Sequence, residues 1–125
     1  MALAKPALLT VLLIVALAIP ALPATFYVTS NADNGPGTLR DAITQAAANG
    51  SATTDYIYFN LADQSMAGRT IDLLTELPVL SSNLVIDGTT QPGSPFYTTD
   101  ARIFVQMMTY APTFSMLKVY NCSVV

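Results

Sequence analysis

The sequence predicts an all-β fold of the strand-turn solenoid type, with one short α-helix near the N-terminus. From Asp55 onward, apolar residues recur with a period of two in short runs, which is typical of β-strands. Polar or Gly/Pro-rich segments separate the runs. The runs follow one another at intervals of about 15 residues, a spacing that favours stacked coils over a hairpin sandwich. The first inward residues of these runs are Ile57, Ile71, Ile86, Ile103 and Leu117.

The first 24 residues have the three-part order of a secretory signal peptide. Lys5 gives a positive start, residues 7–19 form an apolar run, and Pro20 ends it before small residues. The run is short for a membrane span, and no charged stop follows Ala24. We therefore expect a signal peptide over residues 1–24 and a secreted or cell-surface domain over 25–125. Cleavage is expected after Ala24, with Ala21 as the second choice; the rival is a membrane anchor whose first helix is retained.

Beyond the leader, the charge balance is acidic and offers no basic stripe. Eight acidic residues stand against four scattered cations, which are Arg40, Arg69, Arg102 and Lys118. Nucleic-acid binding needs clustered cations for phosphate neutralisation, so this class of partner is not expected. A polybasic patch for anionic lipid is also missing, so membrane contact is expected only through the signal segment before cleavage.

The chain has no histidine and one cysteine. Triads that depend on histidine and the commonest imidazole metal sites are therefore excluded. Cys122 cannot form an internal disulfide, and we expect it to be buried as a small apolar side chain.

The helix is predicted just after a first strand at residues 26–29 and a turn-rich loop at 31–37. Thr38 stands where an N-cap belongs, and Asp41 follows three residues later. Gly50 supplies the C-terminal stop. The apolar face consists of Leu39, Ala42, Ile43, Ala46 and Ala47.

The stretch Val28–Ile43 contains the pattern T-x-x-x-D-x-G-x-G-T-L-R-x-A-I, and four further short motifs follow it in order. These are D-x-I-x-F from Asp55, I-x-L from Ile71, L-P-x-L from Leu77, and I-D-G-T-x-Q-P-G from Ile86. Together they resemble the N-terminal region of secreted bacterial right-handed parallel β-helix proteins, which include pectate-lyase-like and adhesin-like chains.

This resemblance implies that the helix caps one end of the solenoid, with Leu39, Ile43 and Ala46 facing the first coil. The other end stops at Val125 without a polar cap. Because solenoids need terminal capping, residues 25–125 are expected to be the cap and first coils of a longer chain. The coils that follow in that longer chain would then be a binding partner of residues 25–125.

Three acidic groups are candidates for metal binding or catalysis. Asp33-Asn34-Gly35 is oxygen-rich like a calcium loop, but the closing Glu is missing and turn chemistry is favoured. Asp87-Gly88 is expected to be a coil corner. Asp72 and Asp87 could align as a carboxylate pair, but Asp72 should face solvent and neither has a partner that would raise its pKa. No residue is therefore assigned as catalytic, cofactor-binding or metal-ligating.

The remaining candidates are cations, aromatic residues and glycosylation sequons. Lyases that share the β-helix use acids with Arg or Lys, but Arg102 and Lys118 are expected to be solvated surface cations. Tyr56 and Tyr58 could stack on sugar, although packing against the loop 62–68 or a neighbouring segment is favoured. Phe96 and Tyr97 are further exposed-ring candidates, and Asn49 and Asn121 each begin a glycosylation sequon.

The leading functional hypothesis is an exported, non-catalytic, structural or adhesin-like β-helix module, with glycans or cell-surface components as partners. The alternative is the N-terminal part of a β-helix polysaccharide lyase or glycoside hydrolase whose active site lies beyond Val125.

Overall fold

The computed structural model describes residues 20–80, 83–108 and 123–124, with the side chains of 123–124 excepted. Most of the predicted leader, the predicted run around Leu117, Lys118, Asn121, Cys122 and the end at Val125 lie outside the described residues. Six strands, one α-helix and a 3₁₀ turn are found in the described part: β1 Thr25–Val28, α1 Leu39–Asn49, β2 Asp55–Phe59, β3 Thr70–Leu73, β4 Leu84–Asp87, the 3₁₀ turn Gly88–Thr90, β5 Phe104–Met107 and β6 Ser123–Val124.

Four of the strands form one sheet in the order β1-β2-β4-β6, and all three pairings are parallel. The register sets Phe26 beside Ile57 and Ile57 beside Ile86 on the inner face. Because successive side chains of a strand point to opposite faces, inward and outward residues alternate along each strand. Thus Ile57 and Phe59 are buried, whereas Tyr56 and Tyr58 on the outer face are half-buried.

The other two strands, β3 and β5, form a separate two-stranded parallel sheet. Ile71 and Leu73 of β3 are fully buried, and Asp72 between them is exposed, as the alternation predicts. Val105 and Met107 of β5 pack against the same core from their half-buried positions.

Helix α1 forms where the sequence predicts it. Thr38 has an extended backbone, and its hydroxyl accepts a hydrogen bond from the Asp41 amide at 3.2 Å. Gly50 ends the helix with φ +90° and donates its N–H to the Ala47 carbonyl. The buried face consists of Leu39, Ala42, Ile43 and Ala46, whereas the predicted member Ala47 is exposed.

One apolar core joins the helix and both sheets. It contains Val28 from β1, Ile43 from α1, Ile57 from β2, Ile71 from β3 and Leu84 from β4, each at most 1% exposed. Burial of such side chains contributes about 1.5–3 kcal/mol each. The predicted inward residues Ile57, Ile71 and Ile86 are buried in this core, whereas Ile103 is half-buried and precedes β5.

The predicted all-β, right-handed parallel β-helix is nevertheless wrong. The described residues show short parallel strands in two small sheets with a helix, and neither a solenoid nor a closed sheet; this is a mixed α/β arrangement. Consecutive runs were expected to be equal coils of one stack. Instead β2 pairs with β4 and β3 with β5, so neighbouring runs belong to different sheets. Periodicity reveals which face of a strand is buried, but not which strand it pairs with.

Candidate functional site: a tyrosine face on the outer sheet

Three tyrosines, Tyr27, Tyr56 and Tyr58, lie together on the outer side of the four-stranded sheet, and we call them the tyrosine face. Tyr27 and Tyr58 are edge-to-face with ring centroids 6.1 Å apart. Tyr56 and Tyr58 are tilted, with centroids 5.9 Å apart. Tyr58 is therefore the central ring, and it touches both of the others.

The parallel register explains how the rings meet. Tyr27 and Tyr58 are direct Cα partners across β1 and β2, and Asp87 of β4 is the next residue in that row. Adjacent strands lie about 4.8 Å apart, so side chains in one row are in contact range. Tyr27 is 57% exposed, which gives the face an open aromatic surface.

The Tyr58 ring packs against Tyr27 of the neighbouring strand β1 and against Tyr56, so the observed contact is with a neighbouring segment, which was one of the two expected possibilities. The loop 62–68 lines a cleft of about 430 Å³ together with residues 29–31. Asn31 fixes this cleft, because its side-chain amide donates to the carbonyls of Ala67 at 3.2 Å and Thr70 at 3.1 Å. The cleft and the tyrosine face are thus lined by different residues.

A second groove of about 630 Å³ lies on the two-stranded sheet. Asp72 and Gln106 are register partners there, and the Gln106 amide donates to the Asp72 carboxylate at 2.6 Å. Phe104 presents a half-buried ring to the same groove. The groove offers one ring and a hydrogen-bonded polar pair, a smaller aromatic surface than the tyrosine face.

Phe96 and Tyr97 have opposite environments. Phe96 is 6% exposed and stacks on Phe104 with ring centroids 4.8 Å apart. The Arg69 guanidinium lies 3.8 Å from the Phe96 centroid and donates to the Ser94 carbonyl at 2.9 Å. Tyr97, in contrast, is 82% exposed. Phe96 is thus a packing residue, and Tyr97 is a surface ring whose hydroxyl donates to Met66 Sδ at 3.9 Å.

Asp33, in the oxygen-rich loop, forms hydrogen bonds to other parts of the fold. The Asp33 carboxylate accepts from Arg40 Nη2 at 2.8 Å and from the Leu74 amide at 3.1 Å. Burial alone would raise the pKa of Asp33, but these hydrogen bonds and the Arg40 charge outweigh it and lower the pKa below 3.8. Arg40 also donates to the carbonyls of Thr75 and Glu76. Asp33 and Arg40 therefore tie the loop before α1 to the segment after β3.

Asp72 and Asp87 do not form a pair, because they lie on different sheets. Asp87 Oδ1 accepts from the amide of Thr89 at 2.9 Å and from its hydroxyl at 2.6 Å. This is the turn chemistry expected for Asp before Gly, and it fixes the 3₁₀ turn.

Arg102 is not the solvated surface cation that was expected. It is half-buried, and its Nη1 donates to the carbonyls of Gly93 at 2.6 Å and Gln91 at 3.2 Å. The other expected surface cation, Lys118, lies outside the described residues.

Sequence reasoning missed three groups that the fold brings together. Tyr27 completes the tyrosine face, but its partner Tyr58 is distant in sequence and only the register reveals it. Gln91 is fully buried against the backbone of Leu61. Asp55 is buried at the start of β2 beside Asn49. For Asp55 the available signal was its inward-facing position in the alternating pattern of β2.

Within the part of the chain that the structure describes, no three His, Cys, Asp or Glu side chains are grouped as a metal site would require. The same residues include no helix with the length and apolar character needed to cross a membrane. Comparisons with known proteins give no relative: no family model matches the chain, and no match is found among curated proteins or solved structures.

Proposed function

We propose that this protein is an exported, non-catalytic, adhesin-like module that binds a neutral glycan through the tyrosine face. The observation that carries the proposal is the set of three adjoining rings on the open side of a sheet, with Tyr58 in contact with both others. The proposed export rests on the signal-peptide pattern of residues 1–24.

Aromatic rings on a strand suit sugar binding for a physical reason. A tyrosine ring offers a flat apolar surface to the C–H groups of a pyranose, and its hydroxyl can hydrogen-bond a sugar hydroxyl. The backbone of β1 and β2 holds the three rings in place through direct pairing. Little conformational entropy is therefore lost when a ligand binds.

The charges around the face favour a neutral sugar over an anionic one. Arg40, Arg69 and Arg102 donate to main-chain carbonyls elsewhere in the fold. The charged group in the row of Tyr27 and Tyr58 is Asp87, a hydrogen-bond acceptor that would repel sulfate or uronate. A neutral, hydroxyl-rich chain is the ligand class that fits both features.

The acidic residues that the sequence offers for metal binding or catalysis make contacts within the fold, which supports a non-catalytic role. Asp33, Asp72 and Asp87 each accept a hydrogen bond from an adjacent side chain. Asp33 in particular has a lowered pKa, which is unsuited to a general acid. The contacts of these groups are those of structural carboxylates.

The test uses insoluble cellulose and chitin as neutral probes and immobilised heparin as the anionic comparison. We expect retention on at least one neutral probe and none on heparin. Tyr58→Ala should weaken binding about tenfold, since it removes the central ring and about 1.4 kcal/mol of stacking. Tyr97→Ala is the matched control, because Tyr97 is exposed but outside the face.

Two results would contradict this proposal. Equal losses of glycan binding for Tyr58→Ala and Tyr97→Ala would show that the tyrosine face does not bind the ligand. Binding to heparin alone would show that charge, rather than ring stacking, selects the ligand. Circular dichroism of both variants checks that the fold is retained.

A further inference from the structure

The three residues before β1, Leu22 to Ala24, belong to the fold. The Ala24 amide donates to Asp55 Oδ1 at 2.9 Å, and the Ala24 carbonyl accepts from the Tyr56 amide at 2.9 Å. The Leu22 carbonyl accepts from Asn49 Nδ2 at 3.0 Å. The pairing with β2 thus begins one residue before the first residue of β1.

Asp55 makes this arrangement significant because its side chain is only 2% exposed. A buried carboxylate requires hydrogen-bond donors to offset its lost hydration. Within the described residues, two donors are observed: the Ala24 amide, and Asn49 Nδ2 at 2.8 and 3.0 Å from the two oxygens. Main chain from before β1 therefore helps to satisfy a buried carboxyl group.

The position of leader cleavage decides whether these contacts survive. A cut between Ala24 and Thr25 would remove the amide that binds Asp55 and the carbonyl that accepts from Tyr56. A cut between Ala21 and Leu22 would remove none of the contacts. The side chain of Leu22 is 72% exposed and Pro23 is exposed, so the new end would lie at the surface.

We propose that the leader is removed at the Ala21–Leu22 bond, so that Leu22, Pro23 and Ala24 remain in the mature domain. Hydrolysis adds water across this bond and leaves a carboxylate on Ala21 and an amino group on Leu22. Ala21 is the small residue that signal peptidases need before the cut. The inference rests on the proposed export but not on glycan binding, and it favours the second of the two expected cleavage positions over the cut after Ala24.

The first experiment maps the N-terminus of the exported product by expressing the full chain in a secreting bacterium. Intact mass and N-terminal sequencing should show a product that begins at Leu22. A product that begins at Thr25, that keeps residues before Leu22, or that retains Met1 would overturn the assignment. Binding to cellulose and chitin, measured on the same sample, reports separately on the tyrosine face.

The second experiment compares purified chains that begin at Pro20, Leu22 or Thr25 and all end at Val125. We expect the Pro20 and Leu22 chains to melt together and the Thr25 chain to melt about 10 °C lower, because a buried carboxylate and a strand amide lose partners. Equal melting temperatures for the Leu22 and Thr25 chains would overturn the inference.

A coupling test separates the Ala24–Asp55 contact from a general effect of truncation. In an Asp55→Ala background, the difference between the Leu22 and Thr25 chains should shrink, since the partner of the Ala24 amide is gone. If Asp55→Ala does not fold, Asp55→Leu serves instead, because it fills a similar volume and has no acceptor for the Ala24 amide. The difference should again shrink; an unchanged difference in the background used would contradict the proposed contact.

Discussion

Gln91 and Leu61 exchange two hydrogen bonds through the side chain of one and the backbone of the other. The Leu61 amide donates to Gln91 Oε1 at 2.8 Å, and Gln91 Nε2 donates to the Leu61 carbonyl at 3.0 Å. Two residues earlier, the Phe59 amide donates to Thr90 Oγ1 at 2.8 Å. Beyond the last backbone pair between β4 and β2, side chains that follow β4 thus supply the hydrogen-bond partners of the Phe59 and Leu61 backbone.

Replacing Gln91 by Ala should therefore be strongly destabilising. The change leaves both backbone groups of Leu61 without their partner in the interior, which costs about 2–4 kcal/mol. Urea unfolding at neutral pH measures the loss. Gln45→Ala is the control, since Gln45 is an exposed helix residue, and it should change the free energy of unfolding by less than about 0.5 kcal/mol. Equal effects of the two variants would show that the buried amide has no special role.

Gly37 and Gly35 form a matched pair for backbone substitution. Both have positive φ, +75° and +100°, so Ala is strained at either position. A Cβ on Gly37 would in addition lie 2.5 Å from Thr29 Oγ1, whereas a Cβ on Gly35 meets nothing within 4 Å. We expect Gly35→Ala to cost about 1 kcal/mol and Gly37→Ala clearly more. Thermal melting of both variants gives the comparison, and similar shifts would mean that Thr29 rotates away freely.

Thr38→Ala should lower stability by about 1 kcal/mol, because it removes the N-cap of α1. The same hydroxyl also donates to the Gly35 carbonyl at 2.8 Å, so the turn before the helix loses a contact too. Thr44→Ala is the control within the helix, where the residue is exposed. Guanidinium unfolding that finds Thr44→Ala the more harmful of the two would contradict the capping role.

The ion pair of Asp33 and Arg40 predicts a specific dependence of stability on pH. Because the pKa of Asp33 is lowered in the folded state, its contribution is present above pH 3.8 and disappears as the pH falls through the folded pKa. Asp33→Asn should therefore be less stable than wild type at pH 6. The gap between them should narrow toward pH 2, whereas Asp100→Asn, at an exposed position, should show no such change. A gap that is constant from pH 6 to pH 2 would contradict the ionic contribution.

Local features of the fold were predictable from the sequence, and partnerships between distant segments were not. Helix α1 follows from Thr38, the apolar spacing and Gly50, which are all within a few residues of one another. Burial of Ile57 and Ile71 follows from alternation along one strand. The pairing of β2 with β4 instead depends on where the chain returns, and a period of two contains no information about that return.

In the candidate site, too, features within one strand were predictable and contacts between distant segments were not. Tyr56 and Tyr58 were recognised as outward rings because they lie on one strand, but Tyr27 belongs to another and joins them only through the register. Asp55 and Gln91 were missed as buried groups because polar residues are usually exposed. Only the donors and acceptors of distant backbone, seen in the fold, explain why these two are inside.

The parallel register also affects the order in which the helix and strands of the chain can fold. Thr25 pairs with Tyr56, Asp55 with Leu84, Thr70 with Phe104 and Val85 with Ser123, so each of these pairings waits until a loop of about 30 to 40 residues has closed. Helix α1 needs no such closure and can form first, between the two strands that must find each other. We expect stopped-flow refolding in milliseconds to seconds, with Ala42→Gly slowing it; a change in the unfolding rate alone would place the helix late in folding.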